Sequence, residues 1–418
     1  MASFSFGAGN AGKLLRIPLY VLGRALTFAI PRTRDLWVFG CAVGLADGAW
    51  ALWEHAAARG DRAVWLTGGP ADEAEARHRG IPAARKASLR GFWLTARAAV
   101  IVVTHGFGDV NRYAATGGVI VQLWHGIPLK RIGVDAPVTT QPPLPGAPAL
   151  VRRALGRLLA LSYRRTQRRI RVLPAASEVV RGRLESGFGL PDERVPVTGE
   201  PRVDVLSRGT AADRRASARA RLAELVPEIG DRRVVLYAPT WRDGAPDPAA
   251  PDAAQAAALQ SVLDDAEAIL LVRSHPLGAG DYAAALGAGG RMLGSDLVSD
   301  VTPLLPAVDV LITDYSSLAF DAALVPVPTV FLAPDLADYA RSRGFYGTYA
   351  EVAGDDVARE WTAATALVRA VLSDPAERER RLARARALSA RVHAFDDGEN
   401  TARVYLAVQA ALAAERRP

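Results

Sequence analysis

The sequence predicts an α/β protein made of two successive Rossmann-like halves. Short, continuously apolar runs alternate with longer stretches of helical spacing, and this alternation restarts near the middle of the chain. The residues with the most chemistry come directly after the apolar runs. Uninterrupted apolar runs belong to strands buried on both faces, and alternation with helices implies parallel sheets. In such sheets ligands bind at the carboxyl ends of the strands.

Taken in order, residues 1–32 form an N-terminal amphipathic segment. Leu14 to Ile30 is apolar but carries Arg16 and Arg24 and is interrupted by Pro18, so it is a poor membrane span. Pro31-Arg32-Thr33-Arg34 does not resemble a signal cleavage site. The segment reads as an interfacial helix, with an ordinary helix packed on the domain as the alternative. Gly7 to Lys13 has P-loop spacing, yet no strand precedes it and Leu14 stands where Ser or Thr would hold Mg²⁺.

The first half, 33–206, has strands at Leu36–Phe39, Ala63–Thr67, Ala99–Thr104, Val119–Leu123 and Arg194–Thr198. Leu150 to Arg171 reads as a helix with an apolar stripe and a densely basic opposite face. Residues 207–230 read as an interdomain helix. The second half, 231–395, has strands at Val234–Ala238, Ala268–Val272, Val308–Thr313 and Thr329–Leu332, and 396–418 is a C-terminal helix.

A chain of 418 residues, half of them hydrophobic, can bury two cores of ordinary size. Lys and Arg number 51 against 44 Asp and Glu, a formal charge of +7 that suits anionic partners. The single cysteine, Cys41, excludes an internal disulfide framework and fits a reducing compartment. No His, Cys or acidic cluster has the spacing of a metal site.

His125 and His275 are the sharpest candidates. Each follows a strand, one in each half, and imidazole can move a proton near neutral pH. His105 leaves another strand in the same way. Gly126 and Lys130 follow His125; the lysine could bind a phosphate oxygen. Gly199 and Arg202 follow a strand, the glycine admitting close backbone approach. Thr240, Trp241 and Arg242 follow another, the arginine offering a planar fork to phosphate. Thr313, Asp314, Ser316 and Ser317 end a strand and open a helix running through Asp321, a place for an anion at the helix start. Each motif also has a plain structural use: a hydrogen-bonded core histidine, an N-cap or a surface ion pair.

As a set, these stretches resemble the CDP-glycerol glycerophosphotransferases of teichoic acid and capsule synthesis. The resemblance rests on QLWHGIPLKRIG from Gln122 to Gly133, Gly199 to Arg202 with Asp204, YAPTWR from Tyr237, RSHP from Arg273, DVLITDYSSLAFD from Asp309 and RGFY from Arg343. They occur in the family's order over residues 35–405.

It implies a GT-B fold, two facing Rossmann-like domains with a cleft between them, the first for acceptor and the second for donor. It implies transfer of glycerol phosphate or another polyol phosphate from a CDP-activated donor to an acceptor hydroxyl, with release of CMP. His125 and His275 would be catalytic, and Gly126, Lys130, Gly199, Arg202, Thr240 to Arg242, Arg273, Thr313, Asp314, Ser316, Ser317 and Asp321 would bind the donor. No cofactor or metal is implied. The expected partners are a CDP-polyol, a lipid-linked or polyol-phosphate acceptor and an anionic membrane surface, not nucleic acid. The expected location is peripheral, on the cytoplasmic face of the cell membrane. Leu45-Ala46-Asp47-Gly48 departs from the family's Asp-Asn-rich turn. A nucleotide-sugar glycosyltransferase of GT-B fold and a non-catalytic polyanion- or membrane-binding protein are the rival readings.

Overall fold

A computed structural model describes residues 17–140, 142, 146, 148–240, 248–273, 282 and 290–415. His275, Trp241, Arg242 and the Gly7–Lys13 segment lie outside them. The chain forms two compact units. One runs to Asp204 and takes back the segment from Glu399; the other is Val205–Gly398.

The first unit is a six-stranded parallel sheet in the order β3-β2-β1-β4-β5-β6. Its strands are β1 Leu36–Phe39, β2 Arg62–Thr67, β3 Ala83–Arg85, β4 Val100–Val103, β5 Val119–Gln122 and β6 Ile170–Val172. β1, β4 and β5 are buried along their whole length because helices cover both faces, and their side chains are apolar except for Gln122 at the end of β5. The longer helices of its first stretch are α1 Ile17–Ala29, α2 Asp47–Ala58, α3 Pro70–His78, α4 Leu89–Arg97, α5 Ala149–Gln167 and α6 Glu178–Phe188.

The second unit is a five-stranded parallel sheet, β11-β10-β7-β8-β9. Its strands are β7 Arg233–Ala238, β8 Ala268–Val272, β9 Gly290–Met292, β10 Val310–Thr313 and β11 Thr329–Phe331. The longer helices are α7 Ala211–Leu225, α8 Ala253–Asp265, α9 Leu318–Leu324, α10 Leu336–Ser342, α11 Trp361–Ser373 and α12 Pro375–Val392. Both sheets have the Rossmann order, which reverses between β1 and β4 in one unit and between β7 and β10 in the other. Those two reversals are where each sheet leaves room for a ligand.

Three expectations need correction. The segment read as an interdomain linker is α7, part of the second unit. Arg215 on it donates to Asp309 at 2.8 Å and to the Pro306 carbonyl at 3.2 Å. The C-terminal helix expected at 396–418 is α13, Asn400–Glu415, but it is part of the first unit and not a separate segment. Its Val404, Val408 and Leu412 sit in that unit's core, and Tyr405 stacks on Trp37 at 5.6 Å. Residues 194–198 make no strand; Ala175 and Val197 form a lone parallel bridge. Pro196 has no N–H to extend the ladder, and β6 is the sheet's sixth strand.

Candidate active site

In the first unit, three strand ends converge. Gly40 follows β1, and a Cβ there would collide with the Asp109 carbonyl, so only glycine lets the loop after β4 pass. Asp109 fixes that loop. Its Oδ2 accepts from the backbone N–H groups of Thr104 (2.9 Å), His105 (2.7 Å) and Gly106 (3.2 Å). Thr104 Oγ1 lies 3.1 Å from Cys41 Sγ and 2.8 Å from His105 Nδ1.

β5 pairs with β4 so that Gln122 stands beside Val103. That register brings His125 to His105: the rings stack, centroids 4.4 Å apart and 5° from parallel. The turn between Gln122 and His125 is strained. Trp124 has φ +61°, an arrangement costing a non-glycine residue about 1 kcal/mol or more. The surroundings hold it there. Gln122 Oε1 accepts from Trp124 N at 3.2 Å, and Phe188 meets the indole edge-on at 5.1 Å. Gly126 follows with φ +124°, which only glycine adopts readily.

Nδ1 of His125 is buried and has no hydrogen-bond partner among the described residues. Burial pushes the His125 pKa well below the ordinary imidazole value; the charges of His105, Arg202 and Lys130 act in the same direction, against a hydrogen bond to the Thr104 backbone. His105 is also lowered, by burial first, with Asp109 and Asp47 opposing. The arrangement therefore presents a neutral imidazole at pH 7, as a proton acceptor requires.

Arg202 faces Asp47 at 3.2 Å, and Asp47 has φ +63° with its carboxylate accepting from Gly48 N at 2.6 Å. Cys41, Asp47 and His105 bring potential ligand atoms within 4.8 Å of one another. The Asp47 carboxylate is already ion-paired, and burial raises the Cys41 thiol pKa far above its usual value.

In the second unit, Thr313 and Asp314 tie the β7 and β10 ends together. Thr313 Oγ1 donates to the Ala238 carbonyl at 2.7 Å, and Asp314 Oδ1 accepts from Thr240 N at 2.9 Å and Tyr315 N at 2.6 Å. Ser316 Oγ accepts from Leu318 N at 3.3 Å, a turn contact just before a seven-residue helix whose N-cap, Ser317, makes no side-chain cap bond among the described residues. The helix end expected to attract an anion is thus short. Asp321 is fully buried within that helix. Arg273 donates to the carbonyls of Leu293 (3.1 Å), Val298 (2.6 Å) and Ser299 (3.0 Å), anchoring the loop after β9.

Gly199, expected to admit a ligand, admits α13 instead: with φ +75°, a Cβ there would collide with Asn400. Of the residues expected at the site, Gly126 follows His125 directly, and Arg202 and Lys130 lie near enough for their charges to help lower its pKa. Sequence reasoning did not pair His105 with His125, and it missed Asp109 and the Trp124 strain. The only signal for His105 was its place after an apolar run.

The sequence matches the CDP-glycerol:poly(glycerophosphate) glycerophosphotransferase family over residues 31–410. The chain belongs to this family. It is 30% identical over 233 residues to a teichoic acid poly(ribitol-phosphate) polymerase of Bacillus spizizenii, covering 55% of the chain and 34% of the relative. It is 27% identical over 290 residues to a teichoic acid glycerol-phosphate transferase of Staphylococcus aureus, covering 64% of the chain and 66% of that protein. The chain spans about a third of the length of the polymerases it matches, 34% and 31% for two of them. A solved structure of the wall teichoic acid polymerase TagF, a variant soaked with CDPG, superposes with a TM-score of 0.74 at 21% identity, over 96% of this chain and 94% of that one. The fold of this glycerophosphotransferase family member is therefore that of TagF, two Rossmann-like units of the GT-B kind.

Proposed function

We propose that the chain transfers a polyol phosphate from a CDP-polyol to an acceptor hydroxyl in teichoic-acid or capsule-type synthesis. The acceptor oxygen forms a bond to the phosphorus that carries the polyol. The bond from that phosphorus to the bridging oxygen breaks, and CMP leaves with that oxygen. His125 accepts the hydroxyl proton. The observation that carries the reading is this neutral, half-buried imidazole at the end of β5, held by a strained turn. His275 is assigned to the leaving group by resemblance. The β7 and β10 end loops, with Thr240, Ser316 and Ser317, are assigned to the diphosphate, with Lys130 offsetting charge.

Release of CMP from CDP-glycerol and CDP-ribitol, compared with release of UDP or GDP from nucleotide sugars, tests the reading. Turnover of the sugars alone would replace it with the glycosyltransferase alternative.

The acceptor in this reading is lipid-linked, and the enzyme works at the cytoplasmic face of the cell membrane. Support comes from two helices of the first unit. α1 turns Gly23 and Thr27 inward, against Tyr113 and Thr116, and exposes Leu19, Val21, Leu22, Leu26 and Phe28. α5 exposes Leu150, Val151, Leu158 and Leu161. No helix among the described residues is long and apolar enough to cross a membrane. Exposed apolar side chains flanked by arginines suit an anionic interface.

A further inference from the structure

We infer that His105 is a positioning residue for His125: the two stacked imidazoles accept one proton between them and so hold His125 in its proton-accepting form. The inference rests on the reading of His125 as general base.

The geometry limits the pair. Face-to-face rings 4.4 Å apart tolerate two neutral imidazoles, or one neutral and one charged. Two imidazolium ions at that separation, away from bulk water, repel strongly. The pair therefore titrates in two separated steps that belong to both rings.

The surroundings decide which ring takes the first proton. Asp109, on the β4 loop, and Asp47, at the start of α2, both favour charge on His105. Arg202, from the turn after Gly199, opposes charge on both rings, and Lys130, after β5, opposes it on His125. Cys41, after β1, stays a protonated thiol and adds no charge. Thr104 Oγ1 holds His105 Nδ1 at 2.8 Å, and Asp109 clamps the backbone on either side, so the ring cannot swing away to relieve the repulsion. As pH falls, His105 charges first, and its charge defers protonation of His125.

The test uses the full chain and two variants, His105→Phe, which keeps a stacking ring, and His105→Gln, which keeps a polar side chain. Histidine ring NMR titrations need no substrate; the His125 signals are assigned by their loss in His125→Gln. The inference expects His125 to titrate about one unit higher in both His105 variants than in the parent. It also expects the acid limb of kcat/KM for CMP release to move up by the same amount, with the plateau at alkaline pH largely kept. His125 titrating at the same pH in the parent and in a folded variant would overturn it. If His105→Phe fails to fold, the Gln variant gives the same reading. A shifted titration without any CMP release from CDP-polyols would keep the pair and overturn the donor assignment instead.

Discussion

Asp204 caps the N-terminus of α13 through Thr401, which lies 197 residues later in the chain. Its Oδ2 accepts from Thr401 N at 2.8 Å and Thr401 Oγ1 at 2.6 Å, while Oδ1 accepts from Asn400 N at 3.0 Å. A buried carboxylate here satisfies helix N–H groups that have no intrahelical partner and sits at the positive end of the helix dipole. The contact explains the Gly199-to-Asp204 motif physically: glycine makes room for Asn400, and Asp204 fastens the helix that completes the first unit's core.

Asp204→Ala removes three hydrogen bonds and leaves buried donors unpaired. The expected loss is about 3 kcal/mol of stability, since bonds to charged groups contribute about 1.5–3 kcal/mol each and do not add fully. Urea unfolding of the variant and of Gly199→Ala measures it. A change below about 0.5 kcal/mol in the first variant would mean that α13 docks through its apolar face alone.

His125→Ala is expected to slow CMP release by about two to four orders of magnitude, the usual worth of a general acid–base group. The far-UV circular dichroism spectrum should be unchanged. The fold should also gain acid resistance. A histidine whose folded pKa lies below its unfolded value of about 6.5 gives stability that is present above that value and declines as pH falls towards the folded pKa. Removing the imidazole flattens that decline. Thermal melts between pH 7 and 5 check this, and equally steep curves for parent and variant would sink the assignment of a depressed pKa.

The strands were legible because burial on both faces leaves an uninterrupted apolar run. β1 and β8 fall where the sequence places them, and the other long strands differ only at their ends. β3, β6 and β9 were not legible, since each is three residues long and contains an arginine, so none shows an uninterrupted apolar run. Basic residues past the end of α5 misled in another way. Arg171 read as part of its cationic face, but it lies on β6 and pairs with Glu415 of α13 at 2.8 Å. One ring of the stacked histidine pair was legible: His125 stands out after its strand. Its stacking on His105 depends on the register of β4 against β5, which no local pattern states. The same holds for Gly199, whose neighbour Asn400 is far off in sequence.

Asp356 gathers three arginines in the second unit. Its carboxylate accepts from Arg380 at 2.8 Å, Arg381 at 2.6 Å and Arg384 at 2.6 Å, and Arg381 is buried and also meets Glu377 at 2.6 Å. Burial pushes the Asp356 pKa up, but the bonds from Arg380 and Arg384 and the nearby charges outweigh it, leaving it far below the usual carboxylate range. Its contribution is therefore present above about pH 4 and is lost as pH falls towards the folded pKa. Asp356→Asn strips one partner from a buried guanidinium, an expected loss of about 3 kcal/mol at pH 7. The difference between parent and variant should narrow below pH 4. A constant difference across that range, measured by urea unfolding, would show that the network acts through packing and not charge.

The membrane proposal divides into an apolar and an electrostatic part that one experiment separates. Burial lowers the Arg169 pKa, and the charges of Arg24 of α1 and Arg165 of α5 both add to that lowering, so the two exposed apolar helices each place an arginine near Arg169. Each arginine near an anionic leaflet contributes about 1 kcal/mol and is screened by salt, whereas inserted apolar side chains contribute about 1.5–3 kcal/mol each and are not. Co-sedimentation with phosphatidylglycerol vesicles at low and high salt should therefore distinguish two variants. Arg164→Glu with Arg165→Glu should lower binding about tenfold or more at low salt and little at high salt. Leu22→Ser with Phe28→Ser, two of the more exposed side chains of α1, should lower it by at least that much at both. Binding to neutral phosphatidylcholine should be weak for all forms. If both variants sediment like the parent, α1 and α5 do not form the docking surface. If only the arginine variant differs, the attraction is electrostatic and the apolar faces serve another contact.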